Sequence, residues 1–197
     1  NANHVDFAGF VLFFPKSKRN ITIEQAKEIM QALDPSIKKT AVVVKPSIEQ
    51  IRQIEAAGFD YIQIHGMIDP ALFSQIRLPV LKAFNVKDMD TIADYRLDKN
   101  VAGYVFDAHE PGSGKSFDWS MLSDIPRDNK LFFLAGGISA DNVKEAIKKL
   151  SPDGIDVSTG VEYNASNKTG KDPQKIEEFV RIIRTEQKTY NRFSFYK

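Results

Sequence analysis

The sequence predicts an α/β protein built around a parallel β-sheet, and three observations lead to this prediction. Short apolar runs rich in β-branched residues alternate with helical patterns along the whole chain. The runs are apolar nearly throughout, which is typical of strands that are covered on both faces. Successive runs lie roughly 25 residues apart, close to the length of one strand–helix unit.

Seven strands are predicted, and each is followed by a helical segment. The strands are expected at 6–14, 40–45, 60–65, 79–84, 102–107, 131–137 and 154–160. The helical segments are expected at 22–33, 47–58, 70–75, 88–95, 119–122, 139–150 and 172–187. Thr22, with Gln25 three residues later, has the pattern of a helix N-terminus, and so has Ser47, while Gly58 has that of a C-terminal cap.

Two architectures accommodate seven such units, a doubly wound open sheet and an eightfold barrel. No glycine-rich nucleotide-binding sequence follows the first strand, which weakens the first alternative. We therefore expect a (β/α)8 TIM barrel with seven βα units visible and the first strand and helix absent from the sequence. Residues 1–187 are expected to form one barrel domain, and residues 188–197 an aromatic and basic C-terminal tail.

The composition excludes several classes of function. The 27 basic and 26 acidic residues give a net charge of +1, which does not favour a nucleic-acid partner. No apolar run approaches the roughly 18 residues of a membrane span. The absence of cysteine excludes disulfides, thiolate zinc sites and a cysteine nucleophile within these 197 residues. We expect a cytoplasmic protein with neither a nucleic-acid nor a membrane partner.

The stretch Gly112–Ser116 (GSGKS) ends like a nucleotide-binding P-loop. A P-loop needs a glycine five positions before its Gly-Lys-Ser, so that backbone N–H groups can wrap a phosphate. That position is His109, and the following SFDWSM begins a helix poorly. The sequence therefore argues against a P-loop.

Glycine-rich segments follow the last two predicted strands. Gly136-Gly137 comes after one of them, and Ser158-Thr159-Gly160 ends the other. Paired glycines let N–H groups approach an anion closely, and barrels of this type frequently bind phosphate at these two loops. The alternative is that the glycines merely turn the chain, but their matching positions favour a phosphate site.

Three charged or polar residues follow other strands, where barrel enzymes place their chemistry. Asp107 ends an apolar run, where partial burial would raise the pKa of its carboxyl and suit it to act as a general acid. Arg19 follows the first strand and could clamp a carboxylate, and His65 could donate to a substrate. The alternatives are a loop-capping aspartate, a solvated arginine and a histidine satisfied by its neighbours.

At these residues the sequence resembles the phosphoribosylanthranilate isomerase family of tryptophan biosynthesis. The resemblance extends from Asp6 to about Arg184. It rests on five motifs in order: AGFVLFFPKSKRNI, IQIHG, GSGKSFDW, LAGGISADNV and DVSTGVE…KDP. It implies a (β/α)8 barrel without a cofactor or metal. The implied reaction is an Amadori rearrangement of N-(5-phosphoribosyl)anthranilate to 1-(o-carboxyphenylamino)-1-deoxyribulose 5-phosphate, the third step of the pathway.

The resemblance also implies roles for individual residues. Asp107 matches the general acid that protonates the furanose oxygen. Arg19 matches an arginine near the anthranilate carboxylate, and His65 and Asp156 match further substrate-binding positions. The phosphate-binding positions correspond to Gly136, Gly137, Ser158, Thr159 and Gly160. A loop over the active site corresponds to Gly112, Ser113, Gly114 and Lys115.

One departure from the family pattern concerns the general base. The family begins with a strand ending in K-I-C-G-L, whose cysteine removes the C2 proton, and this sequence contains neither that strand nor a cysteine. We therefore leave the base unassigned and expect an eighth strand from outside the seven units. Two alternatives to an active isomerase stay open: a truncated, non-catalytic phosphate-binding barrel, and another phosphosugar barrel enzyme. A small phosphorylated substrate is expected in each case, with the protein a monomer or a homodimer.

Overall fold

A computed structural model describes residues 2–107, 118–125, 127–164 and 168–190. It contains one sheet with the strand order β2-β1-β3-β4-β5-β6-β7-β8. The strands are β1 (Phe7–Leu12), β2 (Asn20–Ile21), β3 (Lys38–Val44), β4 (Tyr61–His65), β5 (Val80–Asn85), β6 (Val101–Asp107), β7 (Leu131–Leu134) and β8 (Gly154–Ile155). The pairs β1–β2, β1–β3, β3–β4, β4–β5 and β7–β8 run parallel, as the apolar runs predicted.

The eighth strand lies within a segment that the sequence predicts as a loop. Strand β2 pairs with β1 through Val11–Asn20 and Leu12–Ile21. The intervening chain folds back because the N–H of Phe14 donates to Asn20 Oδ1 at 2.7 Å, and the N–H of Asn20 donates to Ser17 O at 3.1 Å. A strand of two residues has no readable periodicity, so the sequence pattern cannot predict it.

Six α-helices follow the strands in the described part of the chain. They are α1 (Ile23–Gln31), α2 (Ile48–Ala57), α3 (Pro70–Phe73), α4 (Ile92–Arg96), α5 (Val143–Leu150) and α6 (Pro173–Tyr190). Short 3-10 helices occupy Val86–Thr91, Trp119–Leu122 and Thr159–Val161. None of the described helices is both long enough and apolar enough to cross a membrane.

The predicted helix caps are confirmed at the start of α1 and at both ends of α2. Thr22 and Ser47 each form a capping box with the glutamine three residues later. Gly58 ends α2 in the left-handed conformation, with φ of 86°. Helix α5, by contrast, begins at Val143 rather than at the predicted residue 139, and α6 continues to Tyr190, three residues past the predicted boundary of the barrel domain.

The chain forms two compact units. The first contains the chain up to Phe84 together with Asp90–Tyr104, and the second contains Asn85–Met89 and the chain from Val105 onward. In the first unit, the buried rings of Phe84 and Tyr95 pack edge to face, with their centres 5.6 Å apart. In the second, Phe106 and Phe132 lie 4.6 Å apart, and α5 buries a stripe of residues. That stripe consists of Val143, Ala146, Ile147 and Leu150, at helical spacing.

Candidate active site

In the second unit, the chain after β7 makes a tight turn that only glycine accommodates well. Gly136 and Gly137 have φ of 79° and 65°, both in the left-handed region. The Asn142 amide fixes this turn, because its Nδ2 donates to Gly137 O at 2.8 Å and its Oδ1 accepts from the N–H of Ser139 at 2.9 Å. The chain between Gly137 and Asn142 is therefore a braced turn, which explains why α5 begins four residues later than predicted.

The chain after β8 forms a second turn, which packs against the first. The 3-10 turn Thr159–Val161 places Gly160 directly against the backbone of Ile138. A Cβ atom added to Gly160 would overlap the carbonyl oxygen of Ile138 and lie 3.1 Å from Ser139 Cα. Position 160 therefore has to be glycine for the two turns to keep this contact.

The two turns enclose a cavity of about 360 Å³. Its lining consists of Gly137, Ile138, Ser139, Asp141, Asn142, Thr159 and Gly160. Within the described residues, the backbone N–H groups of Gly137, Ile138 and Gly160 donate to no acceptor. Backbone N–H groups of this kind, close to the start of α5, form an environment that favours an anion.

The cavity brings together three of the five residues that the sequence analysis assigns to phosphate. Gly137, Thr159 and Gly160 line it, whereas Gly136 and Ser158 adjoin it without contributing to the lining. The hydroxyl of Ser158 instead accepts a hydrogen bond from Lys171 Nζ at 2.7 Å. Asp141 also lines the cavity, but its side chain is exposed, so solvent screens the carboxylate.

In the first unit, three neighbouring strands end in the same way. The residues that directly follow β1, β3 and β4 are Phe13, Lys45 and Gly66, with φ of 57°, 45° and 77°. The left-handed conformation is uncommon for residues such as phenylalanine and lysine. Positions 45 and 66 are also coupled, because a Cβ atom on Gly66 would lie 3.0 Å from Lys45 Cε. Each strand therefore turns away from the sheet immediately after its last residue.

His65 ends β4 as a half-buried side chain with a defined partner. Its Nε2 lies 3.1 Å from Oε1 of Gln63, a residue on the same face of the strand that is only 6% exposed. Because Oε1 can only accept, this contact makes Nε2 the donor and leaves Nδ1 as an acceptor. Burial, together with the charge of Lys82, lowers the pKa of His65 from 6.5 to about 4, so the ring is neutral at pH 7.

Lys82 on β5 is an enclosed cation and does not lie at an open strand end. It is 2% exposed, and its Nζ donates to Ala83 O at 2.7 Å. The same ammonium lies 4.5 Å from the centre of the Phe84 ring and 5.0 Å from that of Tyr95. These cation–π contacts compensate in part for the loss of water. An ammonium in this position cannot serve as the accessible lysine that a synthase-type barrel enzyme would need.

The remaining predicted residues lie at or beside strand ends. Arg19 is half-buried in the turn between β1 and β2, where its N–H donates to Ser17 Oγ at 3.2 Å. Asp107 is the half-buried last residue of β6. Asp156 is exposed just after β8, with its N–H donating to Leu134 O at 2.9 Å. The loop residues Gly112, Ser113, Gly114 and Lys115 lie outside the described residues, as do residues 191–197 of the tail.

Sequence reasoning missed two features of this region. Asn142 braces the first turn, and Lys171 holds Ser158 from 13 residues away. Asn142 falls inside the predicted helix 139–150, and the tendency of asparagine to hydrogen-bond nearby backbone groups is the signal that could have placed the start of the helix after it. Lys171 carries no such local signal.

The strand order and the two adjacent turns define a class of protein, an α/β fold built on a parallel eight-stranded sheet, with a cavity between the turns after its last two strands. A family model described as N-(5'-phosphoribosyl)anthranilate isomerase matches residues 3–182. The N-(5'-phosphoribosyl)anthranilate isomerase of Listeria welshimeri is 41% identical over 187 residues, which cover 92% of this chain and 89% of that protein. The chain therefore belongs to the phosphoribosylanthranilate isomerase family.

Solved structures agree with this assignment. The phosphoribosyl anthranilate isomerase of Thermotoga maritima is 33% identical and superposes with a TM-score of 0.79, covering 93% of this chain and 90% of that one. A second isomerase structure, solved with reduced 1-(o-carboxyphenylamino)-1-deoxyribulose 5-phosphate, is 31% identical, with a TM-score of 0.77 and the same coverage. Both superpositions place this chain among the barrel folds of the family.

Proposed function

We propose that this chain carries out the isomerisation of its family, the conversion of N-(5-phosphoribosyl)anthranilate to 1-(o-carboxyphenylamino)-1-deoxyribulose 5-phosphate in tryptophan biosynthesis. The observation that carries the proposal is the cavity between the turns after β7 and β8. Gly137, Ile138 and Gly160 line it, and their N–H groups donate to no acceptor among the described residues. Such groups suit a phosphate group, which the substrate and the product of this reaction both carry.

The reaction moves protons without oxidation or reduction overall. A general acid protonates the ring oxygen of the sugar, the bond from that oxygen to C1 breaks, and the amine nitrogen stabilises the resulting cation at C1. Removal of the proton from C2 then gives an enolamine, which becomes the ketone. Product and substrate have the same atoms, so the protein needs only a proton donor, a proton acceptor and a means of holding the substrate.

Asp107 is our candidate for the general acid. It is the half-buried last residue of β6 and follows the buried Phe106, so it lies at the point where the strand leaves the core. Residues at the carboxyl ends of barrel strands carry the chemistry in this fold. We leave the general base unassigned, since the sequence contains no cysteine to match the family position.

Arg19, His65 and Asp156 are our candidates for contacts with the substrate. The guanidinium of Arg19 suits the anthranilate carboxylate. His65 is neutral at pH 7 with Nε2 engaged by Gln63, so we expect Nδ1 to accept a hydrogen bond from a sugar hydroxyl. Asp156 emerges from β8 beside the second turn, and the segment Gly112–Lys115 is our candidate for an active-site loop.

The test is to measure product formation and ligand binding with the same preparation. We expect the chain to convert the substrate and Asp107→Asn to lose about a hundredfold or more in turnover, because proton donation contributes that much. The affinity for the reduced product should stay within about tenfold, because the substitution removes a proton rather than a binding contact. Near wild-type turnover in Asp107→Asn would remove the residue from the acid role.

The paired readout also separates the isomerase from its alternative. If the chain binds the reduced product but never converts the substrate, the non-catalytic phosphate-binding barrel is the better description. If it binds no phosphorylated ligand at all, the proposed function fails. We further propose a cytoplasmic location and a monomer or homodimer, which sedimentation of the purified chain would distinguish.

A further inference from the structure

Lys171 makes an unusual set of contacts beside the cavity. It lies two residues before α6, and its ammonium reaches back to the turn that follows β8. Nζ donates to Ser158 O at 2.8 Å and to Ser158 Oγ at 2.7 Å, and it lies 3.2 Å from Glu162 Oε1. An ammonium carries three protons, and the three oxygens match them in number. The ammonium of Lys171 is thus directed at the turn after β8.

Two of the three oxygens that Lys171 holds belong to Ser158, the residue that begins the second turn. Ser158 O also accepts from the N–H of Val161 at 3.3 Å, the hydrogen bond that closes the turn. The next residue along, Asp172, donates its N–H to Val161 O at 2.8 Å. Lys171 and Asp172 thus fix both ends of the turn, while Gly160 is packed against Ile138 on the other side.

We propose that Lys171 is a positioning residue of the phosphate site. By holding Ser158 it sets the orientation of Thr159 and Gly160, the two residues of this turn that line the cavity. The inference rests on the proposed function, because it assumes that the cavity receives the phosphate group of a ligand. Lys171 acts through the backbone and does not touch the phosphate.

Lys171 contributes both geometry and charge. The carboxylate of Glu162 pairs with the ammonium at 3.2 Å and balances its charge. The hydroxyl of Ser158 accepts from Lys171, so its single proton points away from the ammonium. Losing Lys171 would release the turn and the Ser158 hydroxyl together and would leave the Glu162 carboxylate without this cation, whereas Ser158→Ala removes a hydrogen bond of the turn without changing any charge.

The test compares two ligands and three variants. The ligands are reduced 1-(o-carboxyphenylamino)-1-deoxyribulose 5-phosphate and the same compound without its phosphate, titrated by calorimetry. Lys171→Met removes the ammonium but keeps an unbranched apolar stem. Lys175→Met is the matched control, because Lys175 Nζ donates to Glu162 O at 2.8 Å and to Asn164 Oδ1 at 2.7 Å, and neither of these contacts involves Ser158. Ser158→Ala removes only one of the oxygens that Lys171 holds.

We expect Lys171→Met to lower the affinity for the phosphorylated ligand about tenfold or more, because hydrogen bonds from a charged group are lost. Affinity for the ligand without phosphate should not change, and Lys175→Met should bind both ligands as the wild type does. Ser158→Ala should show a smaller loss with the same selectivity, and it serves as the test if Lys171→Met fails to fold.

Two results would overturn the inference. One is unchanged binding of the phosphorylated ligand by Lys171→Met, or by Ser158→Ala where that variant replaces it. The other is an equal loss for both ligands, which would mean that the lysine only supports the fold. If the wild type does not distinguish the two ligands, the phosphate site itself is wrong, and the proposed function fails with the inference.

Discussion

The two units of this chain differ in the kind of group that they place at the ends of their strands. In the first unit, the candidate positions are polar side chains: His65 is held by Gln63 and kept neutral by burial and by Lys82. In the second unit, the candidate positions are backbone N–H groups of Gly137 and Gly160, which lie in tight turns that line the cavity. A side-chain site is sensitive to the chemistry of a substitution, whereas a backbone site is sensitive to any added volume.

The difference follows from what each region would have to recognise. A phosphate presents oxygens in several directions, and a set of fixed N–H groups can meet them without a flexible cation. A carboxylate or a sugar hydroxyl has fewer acceptors or donors, in defined directions, which suits single side chains such as Arg19 and His65. The proposed backbone site therefore suits the phosphate end of the proposed substrate, and the proposed side-chain site suits its carboxylate and sugar hydroxyls.

The largest effect should come from adding a methyl group to the backbone region. Gly160→Ala would force the turn away from Ile138 O, since the new Cβ atom has no room. We expect a loss of about 3 kcal/mol in stability, at the upper end of the usual range for overpacking. Affinity for the reduced product should fall about a hundredfold. Denaturant unfolding measures the loss of stability, and calorimetry measures the loss of affinity.

Gly9→Ala is the control for this substitution. Gly9 lies in β1, and a Cβ atom there would meet Val42 Cγ2 at 3.5 Å, an ordinary contact. Alanine at this position should be tolerated, with affinity unchanged. A Gly160→Ala variant that binds as well as Gly9→Ala does would contradict the backbone account of the phosphate site.

A smaller effect on stability should follow from protonating His65 in the first unit. The pKa of His65 is about 4 in the folded chain, against an ordinary value of 6.5. The unfolded chain therefore binds a proton between these values while the folded chain does not, so stability falls as the pH drops from 6.5 towards 4. The loss between pH 7 and pH 5 should be roughly 2 kcal/mol from this group alone.

His65→Gln removes this titration, so the difference between the two proteins isolates it from the other histidines. Denaturant unfolding at several pH values should show that the difference in the free energy of unfolding between wild type and His65→Gln changes by that amount between pH 7 and pH 5. A difference that stays constant with pH would show that His65 has an ordinary pKa and is not a buried neutral ring.

The sequence predicts those parts of the fold that local chemistry determines. The capping boxes at Thr22 and Ser47 and the left-handed Gly58 are short-range features, and all three are confirmed. A strand is present in each of the seven predicted apolar runs, although the last of them keeps only Gly154–Ile155. Strand β2 escaped prediction because no apolar run marks Asn20–Ile21, and because its pairing depends on a turn held by Asn20.

The site is predictable only where residue type alone signals it. Paired glycines after β7 point to a turn whatever surrounds them. The contact of Gly160 with Ile138 joins the turns that follow two different strands, and that of Lys171 with Ser158 spans 13 residues of the chain, so neither leaves a local pattern. The predicted strand at 154–160 is two residues long for the same reason, since the chain from Ser158 to Val161 is drawn into a turn by its neighbours.

The most direct measurement of the central claim is an amide-resolved NMR titration of the chain with the reduced product. We expect the largest changes in backbone N–H shift at Gly137, Ile138 and Gly160, which line the cavity and whose N–H groups have no acceptor among the described residues. The amides of Gly9 and Gly58 should not move. Binding that leaves the three cavity amides unchanged, or moves them no more than those two controls, would contradict the assignment of the phosphate to the turns after β7 and β8.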